Sequence, residues 1–273
     1  MSVSHVLPTG GLLADGRAFE TIAVGDGPHS VAASQDGRRA YVTNFHDGSV
    51  TVIDPASRSV VTTIPVGVSL YGIAAHPDGE RLYVADTHSS ALSVVLTSTG
   101  EVTINTVFEE RPYGLAMTPD GSRLLVSNAL ENEVQVVDGL TKTRGRLSGV
   151  DFAVGLAVSP DGGLLYASNY FADSVSVIDA SGVTALSGTT PAVTLATVPV
   201  ERGPYGLAVS PDGSRLYVAH FPFDLVSVVD TATRAVTATI PVPNGPRGAA
   251  VTPDGAKLYV TNFFSDTVTV VGL

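Results

Sequence analysis

The sequence predicts an all-β fold, a six-bladed β-propeller with four antiparallel strands per blade and a ring closed by an N-terminal strand that completes the last blade. Three observations predict it. An Asp-Gly turn recurs six times at near-constant spacing, four short β-patterned runs accompany each turn, and the first run carries Ala at one fixed position in every copy.

The turns are Gln35-Asp36-Gly37, Pro77-Asp78-Gly79, Pro119-Asp120-Gly121, Pro160-Asp161-Gly162, Pro211-Asp212-Gly213 and Pro253-Asp254-Gly255. Successive steps are 42, 42, 41, 51 and 42 residues. The long step comes from one insertion at 181–192, rich in Gly, Ser and Thr, which reads as an enlarged surface loop.

In the first unit the β-patterned runs are 30–34, 39–44, 49–54 and 59–66, named strands A to D. They are rich in Val, Ile, Thr and Tyr, alternate with period two and are separated by short turns, as a propeller blade requires. Strand A carries Ala32, Ala74, Ala116, Ala157, Ala208 and Ala250, preceded by two residues by Ser30, Gly72, Gly114, Gly155, Gly206 and Gly248. Small side chains there suit a strand crowded against the central axis, where blades converge.

The chain ends after a third strand at 267–271, and the missing strand D is at the other end. RAFETIAV (17–24) matches the strand D sequences at 234–242 and 57–66, so it is expected to complete the last blade and remove an open sheet edge. Residues 1–15 then form an N-terminal extension and 16–273 one propeller domain. The blades fall near 26–66, 67–108, 109–147, 148–200, 201–242 and 243–271 plus 16–25. SVSHVL (2–7) resembles a strand C for which the ring has no place.

Composition removes several classes of function. Hydrophobic residues are 44% and charged residues 15%, which suits a chain with a large core. The net charge of −11 and the lack of a basic stripe argue against nucleic acid as a partner. The absence of Cys excludes disulfides, thiolate metal sites and a Cys nucleophile. No run of about 18 apolar residues points to a membrane, and the N-terminus lacks a signal-peptide pattern. The expectation is a cytoplasmic protein, or an exported one whose leader has been removed, with oligomeric state left open.

Strand B reads Tyr41-Val42-Thr43-Asn44 in the first unit and Tyr259-Val260-Thr261-Asn262 in the last. Between them it drifts through Tyr83-Val84-Ala85-Asp86, Leu125-Val126-Ser127-Asn128, Tyr166-Ala167-Ser168-Asn169 and Tyr217-Val218-Ala219-His220. The chain thus resembles the YVTN-repeat β-propellers over nearly its whole length. That resemblance implies the fold, although relatives often have seven blades. The family includes surface-layer proteins, lactonase-like enzymes and periplasmic binding proteins, so it does not choose a function.

The A–B and C–D turns emerge on one face and the B–C and D–A connections on the other, here called the top. The Asp-Gly turns and Asp54, Asp138, Asp179 and Asp230 collect on the first face, where Asp serves as turn chemistry. His76 joins them there. At the start of strand A the top face receives His29, Tyr71, Tyr113, Val154, Tyr205 and Arg247. At the end of strand B it receives Asn44, Asp86, Asn128, Asn169, His220 and Asn262, followed by Phe45-His46, Thr87-His88, Tyr170-Phe171, Phe221 and Phe263-Phe264 among others. The repeated Asn fits local hydrogen bonding, and Phe45, Phe263 and Phe264 are open to a packing role between blades. Asp86, His220, His29 and Arg247 depart from their repeat consensus.

These residues point to an enzyme acting on an apolar or aromatic small molecule in a top-face funnel. The expected acid–base and anchoring set is His29, His220, Asp86 and Arg247, because His titrates near neutrality and Arg holds a carboxylate or oxyanion. The ligand-binding walls are Tyr71, Tyr113, Tyr205, Tyr170, Phe221, Phe45 and Phe263. Lyase, cyclase and hydrolase chemistry remain open, since no nucleophile elbow, phosphate loop or dinucleotide fingerprint occurs. No cofactor is expected, with a divalent transition metal on His29, His46, His88, His220 and Asp86 as a variant. The alternatives are a small-molecule binding propeller without chemistry and a protein-interaction scaffold.

Overall fold

The computed structural model describes residues 10–12, 18–107, 111–138, 144–181, 183 and 188–273. It contains six sheets, each ordered A-B-C-D from the axis outward, and a 3-10 turn at Ala129–Glu131. The innermost strands are Pro28–Ala33, Leu70–Ala75, Leu115–Met117, Ala153–Val158, Pro204–Val209 and Pro246–Val251. Each touches its neighbours in adjacent blades, and the last touches the first, so the ring is closed. Among the described residues no helix is long and apolar enough to cross a membrane.

Closure occurs as the sequence predicts. Strand Ala18–Ala23 pairs antiparallel with Thr267–Gly272, from Phe19 opposite Val271 to Ala23 opposite Thr267. Part of the expected N-terminal extension is also structural, because Gly10–Leu12 pairs with Ala18–Ala23 as a fifth strand of that blade. The strand-like 2–7 segment lies outside the described residues.

The insertion corrects the sequence reading. It is not simply an enlarged surface loop, since Gly188–Pro191 pairs in parallel with Arg144–Ser148, the outermost strand of the preceding blade. An excursion from the fourth blade thus caps the edge of the third, which removes a free row of backbone groups.

Six buried apolar clusters hold the ring together, one in each seam between neighbouring blades. Both faces of each sheet are therefore buried near the axis, and strand Ala40–Asn44 is buried at all five positions. Clean apolar–polar alternation is lost there because neither face meets water. Tyr41 packs into the seam with the second blade and Val42 into the seam with the sixth, a division repeated by Tyr83 and Val84 and by Tyr217 and Val218.

The other two letters of the motif are hydrogen-bonding devices. Thr43 Oγ1 donates to the Tyr71 carbonyl of the next blade at 2.7 Å, and Ser168 Oγ does the same to Tyr205 at 2.6 Å. The same hydroxyls accept from the amides of Ser30 and Gly155 in their own blades. Asn44 Nδ2 donates to Ser49 and Thr51 of strand C, Asn169 to Ser174 and Ser176, and Asn262 to Thr267 and Thr269. At these three positions the Asn is thus a blade-internal clasp onto strand-C hydroxyls, whereas the buried Asn128 side chain has no hydrogen-bond partner.

On the lower face the turn glycines have φ between +68° and +76°, which a side chain would strain. Each turn Asp accepts hydrogen bonds locally, as when Asp36 Oδ1 takes one from Ser34 Oγ at 2.6 Å and one from the Arg38 amide at 3.0 Å. These bonds lower the Asp carboxyls below their ordinary range, Asp120 and Asp212 to about 2. The expected assignment of this acidity to turn chemistry agrees with the geometry.

Candidate functional site

The strand-A repeat builds the centre of the top face. A Cβ at Gly72, Gly155 or Gly206 would run into the carbonyl oxygen of Tyr113, Tyr205 or Arg247 in the next blade. The absence of side chains at these positions lets the blades approach, and so brings the preceding side chains together over the axis. His29, Tyr71, Tyr113 and Tyr205 thereby form one aromatic array. Ring centroids lie 4.2 Å apart for His29–Tyr71, 5.0 Å for Tyr71–Tyr113 and 5.3 Å for His29–Tyr205.

The loops after strand B extend the array. Phe45 and Phe263 each stand 6.4 Å from the His29 ring, Phe221 6.1 Å from Tyr205, and Tyr170 5.9 Å from Tyr205. The geometries are tilted or edge-to-face, the arrangements that aromatic quadrupoles favour. Phe45, Tyr170, Phe221 and Phe263 are half-buried, whereas Phe171 and Phe264 are 71% and 69% exposed. This cluster of top-face rings is here called the aromatic bowl.

The expected top-face funnel does not continue down the axis as ligand-sized space. Below the rings the axis holds a cavity of about 60 Å³, lined by His29, Tyr113, Tyr205 and Arg247 above and by Val31, Ile73, Leu115, Leu156 and Leu207 below. Organic ligands ordinarily occupy some 300 Å³ or more, so this space suits water or one small functional group. An organic body would have to lie in the bowl above.

Two polar groups interrupt the aromatic surface. His29 is buried, and its Nε2 lies 3.1 Å from the Tyr205 hydroxyl. Burial, then the nearby Arg247 charge, hold its pKa well below the ordinary value, opposed by a hydrogen bond to the Tyr71 backbone. His29 is consequently neutral at pH 7. A neutral ring that donates through one nitrogen to Tyr71 accepts at the other from Tyr205. Burial raises the Tyr205 phenol, which keeps its proton.

Arg247 is the second. Its guanidinium carbon sits 3.5 Å from the Phe263 ring centroid, 4.2 Å from Phe221 and 5.5 Å from Tyr205. Desolvation lowers its pKa, and its buried Nε has no hydrogen-bond partner. Three aromatic faces stabilise the cation through their quadrupoles without neutralising it.

The remaining predicted residues lie elsewhere. His220 is fully buried at the end of strand Arg215–His220, with Nδ1 3.2 Å from the Arg202 carbonyl, and it does not line the axial cavity. Burial lowers its pKa, opposed by that backbone contact. The strand-B ends, which the sequence places on the top face, do not reach the axial cavity, because strand A alone lines it. Asp86 is a turn acceptor, taking hydrogen bonds from the amides of Val68 and Ser89 and from Ser89 Oγ. His46 is exposed and packs on Phe45 and Phe263, and His88 is exposed. Among the described residues no three His, Cys, Asp or Glu side chains are grouped to hold a metal, so the five proposed ligands form no such site. The sequence carried no sign of the contact between His29 and Tyr205, which joins residues 176 apart, nor of the stack under Arg247.

No family model matches the chain, and no curated protein does either. The YVTN resemblance therefore rests on the motif residues alone. Similar solved structures include hydrazine synthase of Kuenenia stuttgartiensis, at 21% identity, 91% of this chain and 96% of that one, with a TM-score of 0.72. Another is the β-propeller domain of Cps50 (Swd1) of Myceliophteria thermophila, at 11% identity, 93% and 98% coverage and a TM-score of 0.72. At these identities the likeness concerns the propeller fold.

Proposed function

We propose that the protein binds a small organic molecule with an apolar or aromatic body in the top-face bowl. The observation that carries this is the aromatic array itself. Rings from all six blades meet over the axis beside the Arg247 guanidinium, while the lower face is built from polar turns. Packing between blades needs no exposed Phe171 or Phe264, and each seam already has its own apolar cluster. Exposed aromatic surface of this kind is typical of a binding site.

Saturation-transfer NMR with a library of aromatic fragments tests the proposal, comparing the protein with a Phe221→Ala/Phe263→Leu variant. Fragments contacting the bowl should lose signal in the variant. A library that gives no binding at millimolar concentration, or binding that the variant leaves unchanged, would remove the bowl as a site.

A catalytic role is the second reading, favoured by the 3.1 Å contact between neutral His29 and Tyr205. Such a pair can take a proton from a bound substrate as its anion develops, the Tyr205 oxygen accepting the substrate proton while the phenol proton moves to the neutral His29 imidazole. Turnover of a bound fragment that is lost in His29→Gln and Tyr205→Phe while binding persists would place the protein among enzymes. The structural likeness to hydrazine synthase and to the Cps50 domain concerns the fold and does not decide between the two readings.

A further inference from the structure

We infer that Arg247 is an anion receptor and that the ligand of the bowl is a monocarboxylate, its carboxylate seated at the axis against the guanidinium and its apolar body lying over the rings. This rests on the small-molecule reading above and adds the chemical class and the orientation of the ligand.

Several other arginines are held in ion pairs. Arg39 meets Asp54, Arg58 meets Glu20, Arg81 meets Asp78 and Arg146 meets Glu133. Arg247 has no ion pair and donates no hydrogen bond among the described residues, although it is half-buried with its Nε fully enclosed. A desolvated, unpaired cation is expensive to retain, and stacking on Phe263 and Phe221 compensates it only in part. A guanidinium covered on its face by Phe263 keeps its edge for partners. The edge is the fork that matches the two oxygens of a carboxylate.

Charge and size narrow the class. Among the described residues Arg247 is the cation stacked on the array, and its neighbour His29 is neutral, so one carboxylate pairs with it one to one. The 60 Å³ cavity takes a carboxylate and excludes a ring. The head therefore occupies the axis and the body remains among Phe45, Phe221, Phe263 and Tyr71, where the rings are half-buried.

The test uses four probes followed by NMR titration: acetate, acetamide, phenylacetate and phenylacetamide. Each acid should bind the wild-type protein at least about tenfold more tightly than its amide, the scale of a charge-assisted hydrogen-bonded pair. Phenylacetate should also bind more tightly than acetate. Arg247→Gln should abolish the preference for acid over amide, read as the ratio of the two affinities within the same variant. Equal affinity for acid and amide in the wild-type protein overturns the inference without any variant, as does an acid preference that survives in folded Arg247→Gln. Phenylacetate no tighter than acetate would instead overturn the aromatic bowl while leaving Arg247 as the receptor. No binding of any probe at 10 mM, roughly the weakest affinity such a site could have, would overturn both.

Discussion

Replacing Gly155 by Ala tests whether the strand-A glycines set the distance between blades. The added Cβ would overlap the Tyr205 carbonyl oxygen and stand 2.9 Å from Ser168 Oγ and 3.0 Å from the Tyr205 carbonyl carbon. Two of these obstacles are backbone of the next blade, so a rotamer change cannot relieve the clash. Overpacking of this kind costs about 1–3 kcal/mol. Separating the blades also stretches the 2.6 Å bond from Ser168 Oγ to the Tyr205 carbonyl, worth about 0.5–1.5 kcal/mol. A total near 2–4 kcal/mol should lower the melting temperature by roughly 5–12 °C in a calorimetric scan. Two controls separate the causes. Ser30→Ala changes the one position that already carries a side chain and should melt within about 1 °C of wild type. Gly79→Ala, at φ +76° with nothing within 4 Å, isolates backbone strain and should cost about 1 kcal/mol. A Gly155→Ala protein that melts no lower than Gly79→Ala would refute the claim that close approach, and not flexibility, explains the glycine.

Three further outcomes are expected. Deleting residues 1–25 exposes the edge of Thr267–Gly272 and removes buried Ile22, so melting should fall by at least about 10 °C with aggregation visible by light scattering; an unchanged melt would mean that closure lies elsewhere. Ser168→Ala should cost about 0.5–1.5 kcal/mol in urea unfolding, and the fold should persist because Ala85 and Ala219 occupy the same register in two blades. Stability should decline on acidification in two stages. His29 and His220 have lowered folded pKa values, so their contribution is complete above the unfolded value near 6.5 and declines below it. Asp120 and Asp212, lowered to about 2, contribute fully above about 4 and lose that contribution as pH falls through about 2. Denaturant midpoints measured from pH 8 to 2 that rise on acidification would contradict both assignments.

The sequence by itself determined the blade count, the four-strand repeat, the ring closure and the side of the ring on which each loop emerges. These follow from local chemistry that recurs six times: Gly at a positive-φ turn, a small residue where strands crowd, an apolar run for each strand. It also identified the start of strand A as the source of axial side chains, and with it His29, Tyr71, Tyr113, Tyr205 and Arg247.

Only the tertiary structure decided which departures from the repeat meet one another. His29 and Arg247 come to the axis, whereas Asp86 is absorbed by its own loop and His220 by the Arg202 carbonyl, because strand B is one layer farther out and ends against its neighbours. A repeat register states how far along a blade a residue lies, but not what faces it across the ring. The second sheet edge capped by the insertion was hidden for the same reason, since Gly188–Pro191 pairs with a strand of another blade. Such pairings depend on the angle at which six blades close around one axis, and that angle is set jointly by all six seams and is not encoded in any single repeat.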